Sequence, residues 1–201
     1  MPAVTMSYLY DAFFSYKRDP QSDLWHATVK DKIRYWLETE LGQGEGKIFF
    51  DTADLATGDR WPERISEALR RAKCLICVWS PNYFRSKWCV SEWQTFIARE
   101  QRIGGGLSLI VPATYHDGES FPAAAKAYQT ADFRPYASTM PFFWETEDAF
   151  KFEKVLKTFA LDLAKKMAAC PPFDPAFPVV EARDDQVLPP AVIPRPAERA
   201  A

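Results

Sequence analysis

A tryptophan and a glutamate four residues apart are the side chains of this sequence best placed to act together on a ligand. Trp88 and Glu92 lie in the segment SPNYFRSKWCVSEW, where apolar residues recur at helical spacing. Residues four apart share one face of a helix, so the carboxylate stands beside an aromatic ring. The ring could pack against a flat ligand while the carboxylate hydrogen-bonds a sugar. The competing interpretation is a solvated helix glutamate, which is the commoner case.

More polar residues follow the predicted strands at their carboxyl ends. In an open parallel sheet, ligands bind in the loops beyond those ends. The residues concerned are Ser15, Tyr16, Lys17, Arg18 and Asp19 after the first strand, 51–61 after the second and 83–92 after the third. Lys17 and Arg18 could hold phosphate groups, although loop cations of this kind are more often plain surface charges.

The sequence argues against metal and disulfide chemistry. Its two histidines, His26 and His116, have no second histidine or cysteine at ligand spacing, so we expect no metal site. Cys74 and Cys77 lie three apart on a predicted strand, where their side chains point to opposite faces and cannot grip one ion. Together with Cys89 they fall in segments predicted to be buried, and we expect packing thiols rather than disulfides.

Glycine motifs that bind nucleotides are absent from the sequence. Gly42, Gly44 and Gly46 follow a predicted helix and precede a strand, whereas the dinucleotide fingerprint follows a strand and opens a helix. Neither a GxxxxGK(S/T) loop nor a GxSxG turn occurs. The residues therefore argue against an ordinary ATPase and against an α/β-hydrolase.

Size and charge indicate one domain with an appendage. The chain has 201 residues and a formal net charge of -2, which is long enough for one well-buried core. Basic and acidic residues are balanced along the chain, so we expect no direct nucleic-acid partner. No apolar run approaches the roughly 18 to 20 residues that cross a bilayer, and the sequence does not open with a secretion signal. We therefore expect a cytoplasmic protein without a membrane partner.

Hydrophobic patterning predicts strands that alternate with helices. Apolar runs indicate strands, and apolar residues that recur every three or four positions indicate helices. The predicted strands are 8–16, 47–50, 74–79, 107–111 and 132–134, and the predicted helices are 22–41, one from 62, 88–101, 121–128 and 148–167. This alternation favours an α/β fold of the flavodoxin-like type, a three-layer sandwich with a central, mainly parallel five-stranded sheet.

The composition changes near the end of the last predicted helix. Eight of the sixteen prolines lie in the last 31 residues. Proline fixes its own backbone angle and has no N–H to donate, so such a segment forms neither helices nor central strands. We therefore divide the chain into a domain over 7–168 and a proline-rich tail over 169–201, extended or disordered. A solvated tail is the expected state, with docking on the domain or binding to a proline-reading partner as alternatives.

Three segments of the sequence together resemble a known family. YDAFFSYKRD, IFFDTADLATGDRW and SPNYFRSKWCVSEW resemble the three conserved boxes of the TIR (Toll/interleukin-1 receptor) domain family, in the same order and at the same spacing. Three boxes in register are much more specific than any one of them. The resemblance implies the TIR fold and one of two functions, cleavage of NAD+ or association between TIR domains.

The resemblance favours a bacterial member that cleaves NAD+. In such members a glutamate lies four residues after a tryptophan in the third box, which makes Glu92 the implied catalytic residue. The two residues after the first-box FxSY are cationic and line the NAD+ site. The implied substrate-binding residues are Ser15, Tyr16, Lys17, Arg18, Asp54 and Trp88. The sequence departs from some members at Ala53, where they carry an acidic residue, and Asp54 is the implied substitute.

The implied reaction breaks the bond between nicotinamide and ribose. Nicotinamide in NAD+ is a cationic leaving group, and its departure leaves an oxocarbenium-like ribose that a carboxylate stabilises. The products would be nicotinamide and either ADP-ribose or a cyclic isomer. NAD+ is a substrate here, and no separate cofactor is implied. The implied setting is bacterial immunity against phage, through loss of NAD+ or production of a nucleotide signal.

The alternative function is a non-catalytic adaptor that acts by TIR–TIR association. The resemblance places such contacts in the BB loop after the second strand. The implied interaction residues are Asp54, Leu55, Gly58, Asp59, Arg60 and Trp61. Both functions can coexist, because a neighbouring subunit's BB loop often completes a TIR active site. We also expect a separately encoded sensor or effector as a partner.

Overall fold

The computed structural model describes residues 7–42, 46–51 and 63–190. Within these ranges the strands are β1 (Tyr10–Tyr16), β2 (Ile48–Phe49), β3 (Ala72–Trp79), β4 (Ile110–Thr114) and β5 (Ala131–Asp132). The helices are α1 (Asp23–Leu41), α2 (Glu63–Arg70), α3 (Pro81–Phe84), α4 (Lys87–Ile103), α5 (Ala123–Lys126) and α6 (Glu147–Ala168). Three 3-10 turns cover Arg134–Tyr136, Pro141–Glu145 and Asp184–Gln186.

The five strands form one parallel sheet in the order β2-β1-β3-β4-β5. This is the flavodoxin-like order, so the predicted fold class is confirmed. β1 and β3 pair over the longest register, from Tyr10 opposite Ala72 to Tyr16 opposite Val78. The chain order reverses between these two strands, which makes their carboxyl ends the expected place for a ligand.

Helix α1 follows directly from the hydrophobic pattern. Trp25, Val29, Ile33 and Leu37 recur every fourth residue and are almost completely buried. The helix ends at Gly42, whose φ of 70° is left-handed and whose N–H donates to the Glu38 carbonyl. Glycine adopts this conformation without steric cost, so it ends the helix cleanly. α1 packs against α6, and the two cover one side of the sheet.

Strand β4 begins three residues later than predicted and contains Pro112 instead of ending at it. The Leu109 carbonyl and the Tyr115 N–H both bond to β3, so the alternate residue Pro112 directs its nitrogen towards β5. β5 pairs only with Ala113 and Thr114. The missing N–H of proline therefore removes no bond from the sheet, and the strand continues through it.

Residues 169–190 form a strap that lies against the domain. The Val180 N–H donates to Thr95 Oγ1 at 2.9 Å, and the Ala182 N–H donates to Ser91 Oγ at 2.8 Å. The Leu188 N–H donates to the Phe84 carbonyl at 2.8 Å. The expectation of a solvated tail is therefore wrong for this part of it. The strap is docked through side chains of α4, a mode of binding that composition does not reveal.

Residues 191–201 of the tail lie outside the described residues. The division of the chain at residue 168 stays a prediction. All four cysteines are free, and Cys74, Cys77 and Cys89 are buried. Among the helices of the described ranges, none is both long and apolar enough to cross a membrane.

Candidate functional site

A pocket of about 180 Å³ lies beside the carboxyl end of β1. Its polar lining comes from three places: the end of β1, the segment just after β2 and the first two turns of α4. The side chains that matter for chemistry are Tyr16, Lys17, Arg18, Asp51, Trp88 and Glu92. The predicted pairing of Trp88 with Glu92 on one helical face is thus present, and both side chains line what we call the Glu92 pocket.

Helix α4 is set at its start by Ser86, whose hydroxyl accepts from the Cys89 N–H at 3.5 Å. Capping of this kind fixes the first turn. Trp88 lies in that turn and is half-buried, while Glu92 lies one turn later and is only 9% exposed. The carboxylate is therefore not the solvated helix glutamate that spacing alone favours.

Glu92 is held by a short hydrogen bond from β1. The Ser15 hydroxyl donates to Glu92 Oε2 at 2.5 Å. Ser15 is itself 1% exposed, so it lies beneath the pocket rather than on its rim. Its predicted contact with substrate stays a prediction, and its observed contact is with the glutamate.

Burial raises the pKa of Glu92 from 4.5 to about 8. Removal from water disfavours the charged carboxylate, and nearby Asp51 disfavours it further. The Ser15 hydrogen bond and the Arg18 charge act in the opposite direction and favour the ionised form. A carboxyl whose pKa lies close to neutral pH is typical of a functional site.

The raised pKa of Glu92 predicts a pH-dependent contribution to stability. Between about pH 4.5 and about pH 8 the folded protein keeps a proton on Glu92 that the unfolded chain loses, so this group's contribution falls as pH rises. His26 acts oppositely, because burial lowers its pKa to about 4. The difference in melting temperature between the wild type and Glu92→Gln, measured from pH 5 to 9, isolates the glutamate. We expect the variant to gain stability relative to the wild type as pH rises, and a constant difference would contradict this.

Arg18 and Lys17 follow β1 at the mouth of the pocket. Arg18 pairs with Asp51 at 3.3 Å, and Asp51 also pairs with Arg64 of α2 at 2.9 Å. Lys17 is exposed. The two cations also line a second cleft of about 550 Å³ that contains Arg85 and includes residues from the ends of β1 and β3. They therefore lie where a ligand could extend from the small pocket into the larger cleft.

The Tyr16 side chain packs mainly against other rings. Its ring stacks on His26 with centroids 4.5 Å apart and on Phe50 with centroids 5.0 Å apart. Burial raises the pKa of Tyr16 to about 12, so its phenol stays protonated at neutral pH. Tyr16 is among the residues that line the Glu92 pocket.

The remaining predicted residues fall outside the described ranges. They are Asp54, Leu55, Gly58, Asp59, Arg60 and Trp61, together with Ala53. Their roles stay predictions. In the described part of the chain, His, Cys, Asp and Glu side chains form no group of three or more that could hold a metal ion.

Two site residues, Asp51 and Tyr83, were named from the sequence only as members of the longer stretches 51–61 and 83–92. Asp51 is the second residue after β2, and its position just beyond a strand's carboxyl end is the signal that could have identified it individually. Tyr83 lies beneath the pocket, with its hydroxyl 2.8 Å from Ser15 Oγ. No local pattern marks Tyr83, because this contact joins residues 68 apart in the chain.

A larger cavity, of about 1010 Å³, lies elsewhere. It is formed by β4, the segment before β5 and α6, with Lys165 and Lys166 at its side. It contains none of the residues that line the Glu92 pocket. The Glu92 pocket is the candidate site because of its buried carboxylate and not because of its volume.

Comparison with known proteins gives one family match and several distant relatives. The family model described as TIR domain matches residues 24–141. A curated protein of Brachypodium distachyon, named a probable 2' cyclic ADP-D-ribose synthase, is 28% identical over 75 residues. That match covers 37% of this chain and 34% of the relative. The chain thus spans about a third of the length of the curated relative that it matches.

Two solved structures are also similar. The TIR domain of the Toll-related receptor TRR-2 from Hydra magnipapillata is 21% identical, with a TM-score of 0.43, over 72% of this chain and 98% of that one. The TIR domains of the activated Roq1 resistosome, which recognises the pathogen effector XopQ, are 19% identical, with a TM-score of 0.40, over 79% and 84%. The fold assignment rests on the strand order and register of the sheet. Because the family match spans more than half of the sequence, the chain belongs to the TIR domain family.

Proposed function

We propose that this TIR domain cleaves NAD+ at the bond between nicotinamide and ribose, with Glu92 as the catalytic carboxylate. The observation that carries the proposal is the buried Glu92 in a pocket shared with an aromatic ring, Trp88, and two cations, Lys17 and Arg18. The name of the Brachypodium distachyon relative, a probable cyclic ADP-ribose synthase, supports the same class of reaction.

Each of these groups has a role in the proposed reaction. Departure of nicotinamide leaves positive charge on the ribose, and a carboxylate in a site with little water stabilises that charge strongly. Trp88 would pack against the flat part of the substrate, and Lys17 and Arg18 would bind its phosphates. Asp54 would make a further contact with the substrate. Access of water to the ribose would decide between ADP-ribose and a cyclic product.

The size of the pocket indicates how NAD+ would lie. A volume of about 180 Å³ is smaller than the roughly 300 to 1,000 Å³ of ordinary ligand sites. We therefore place only the nicotinamide end of NAD+ beside Glu92. The phosphates would then reach Lys17 and Arg18, which lie between this pocket and the larger cleft.

A partly open site would be completed by a second subunit. We propose that TIR–TIR association through the BB loop covers the part of NAD+ that the Glu92 pocket leaves exposed, so that activity depends on assembly. A separately encoded sensor or effector would control that assembly. The setting we propose is immunity in a bacterial cytoplasm, where cleavage would either deplete NAD+ or make a nucleotide signal.

Incubation of the purified protein with NAD+ should release nicotinamide, detected by chromatography. If assembly completes the site, the rate per subunit should rise with protein concentration or with a crowding agent. NADH is a matched control, because its uncharged dihydronicotinamide is a poor leaving group and should stay attached. A folded protein that releases no nicotinamide at any concentration would contradict the proposal and favour the non-catalytic adaptor. A rate per subunit that does not depend on concentration would contradict the requirement for assembly.

A further inference from the structure

A line of buried polar atoms continues beneath the catalytic pocket. It runs from Glu92 Oε2 to Ser15 Oγ at 2.5 Å, then to the Tyr83 hydroxyl at 2.8 Å, and from there to Cys77 Sγ at 3.5 Å. Ser15, Tyr83 and Cys77 are at most 1% exposed. The line joins α4, β1, α3 and β3, so four separate elements must come together to form it.

Packing does not explain the hydroxyl of Tyr83. The ring lies in the core with edge-on contact to Phe84 at 5.2 Å, and a phenylalanine would make the same ring contact. Burial of a hydroxyl costs free energy unless it is hydrogen-bonded. Tyr83 is held in place by its N–H, which donates to Ser80 Oγ at 3.2 Å. Because the side chain is completely buried, it cannot touch a ligand in the pocket.

The direction of the hydrogen bonds follows from counting protons. Ser15 has one hydroxyl proton, and it is donated to the ionised Glu92 carboxylate. The single Tyr83 proton then has two possible acceptors, and Ser15 Oγ at 2.8 Å is closer and stronger than Cys77 Sγ at 3.5 Å, so both hydroxyl dipoles point towards the negative charge. Successive hydrogen bonds of this kind strengthen one another in a medium of low dielectric constant. Burial raises the pKa of Tyr83 far above its ordinary value, so its proton is always available.

The other groups that face Glu92 do not substitute for this donor. Arg18 and Asp51 lie beyond the ends of β1 and β2 and act through charge. Cys89 of α4 and Cys77 of β3 are buried thiols, and burial raises the pKa of both well above neutral, so they carry no charge. Lys17 acts on Cys89 from the rim. Among the described residues, Ser15 is thus the side chain that donates a hydrogen bond to Glu92 from the protein interior.

We infer that Tyr83 is a positioning residue, which orients the Ser15 hydroxyl and thereby stabilises the ionised form of the Glu92 carboxylate and places it for the proposed cleavage of NAD+. The expected effect on catalysis rests on the proposed function. The effect on the hydrogen bond between Ser15 and Glu92 does not. Loss of the Tyr83 hydroxyl leaves the ring, the pocket lining and the charges of Arg18 and Asp51 in place. It removes only the group that fixes the direction of the Ser15 proton.

The test is the Tyr83→Phe variant, with Tyr136→Phe as a matched control. Tyr136 stacks on Phe152 at 4.7 Å in the layer of α1 and α6, apart from this line. In Tyr83→Phe, the rise of activity with pH should move up by about one unit, so kcat should fall about tenfold near neutral pH, and KM should stay unchanged. A lower kcat with an unmoved pH profile would show a structural role and overturn the inference.

Direct titration of Glu92 separates the inference from the proposed function. The carboxyl carbon of Glu92 in 13C-labelled protein, assigned by its loss in Glu92→Gln, should titrate at higher pH in Tyr83→Phe even if no NAD+ is cleaved. Ser15→Ala supplies the second variant. If Tyr83 acts through Ser15, Tyr83→Phe should shift the Glu92 titration no further in the Ser15→Ala background. An equal shift in both backgrounds, or no shift at all, would overturn the inference.

Discussion

In the Glu92→Gln variant the rate of nicotinamide release is expected to fall about a thousandfold. Removal of one charge-stabilising group from an active site typically lowers kcat about 100- to 1,000-fold, and Glu92 bears a full negative charge when ionised. Glutamine has the same shape and can still accept the Ser15 proton that Glu92 accepts at 2.5 Å. It cannot carry the negative charge that an oxocarbenium-like transition state requires. The rate is measured by chromatography of NAD+ incubated with concentrated protein.

Glu100→Gln is the matched control for this loss. Glu100 lies two turns further along α4, is partly buried, and likewise has a pKa raised by burial. Its carboxylate accepts from the N–H groups of Leu109 and Ile110 at 2.5 and 3.1 Å, so its role is to join α4 to β4. Its replacement should change stability but not the rate per folded molecule. Equal losses in the two variants would mean that Glu92 acts on the fold and not on NAD+.

Phe177→Ala should lower the free energy of unfolding by about 3 kcal/mol, the usual cost of truncating a buried phenylalanine. The ring is 3% exposed although it belongs to the strap. It covers the Arg99 guanidinium at 4.6 Å, and Phe96 lies at 4.2 Å from the same group. Arg99 is fully buried and donates to the carbonyls of Ala72 and Leu69 at 2.7 Å each. Loss of the ring leaves a cavity and exposes one side of the buried Arg99 guanidinium.

Urea denaturation measures this change, and Phe150→Ala provides its control. Phe150 is a phenylalanine on α6 that is 66% exposed, so its truncation should change the free energy of unfolding by no more than about 0.5 kcal/mol. If Phe177→Ala were as stable as the Phe150 variant, the strap would not be part of the folded core.

The sequence predicts the sheet well because its strands are continuous apolar runs. Cys74 to Trp79 is buried at every position, and such a run signals a central parallel strand whatever surrounds it. The common face of Trp88 and Glu92 was equally predictable, since it depends only on the helical period. The burial of the Glu92 carboxylate was not predictable from spacing. It depends on contacts such as the hydrogen bond from Ser15, which is 77 residues away in the chain.

The strap escaped prediction for a related reason. Its proline content correctly indicates a segment with little regular structure, and that composition is shared by solvated and docked chains. What docks it is a set of single hydrogen bonds to side chains, such as those of Ser91 and Thr95. Such contacts produce no periodic pattern in the sequence of the strap or in that of α4. The BB-loop residues lie outside the described residues, so their roles stay predictions.

The path of the strap also determines at which edge of the sheet another module of the same chain would be attached. The Tyr8 hydroxyl, just before β1, donates to the Pro171 carbonyl at 3.0 Å, so the chain leaves α6 beside the point where it enters the sheet. From there the strap runs to Pro189, whose carbonyl accepts from Arg85 beyond the far end of β3. The described chain therefore begins at the amino-terminal edge of the sheet and ends at its carboxyl-terminal edge. A module joined after Pro190 would be attached near the edge of the sheet that carries the Glu92 pocket, and one joined before Ser7 would be attached at the opposite edge.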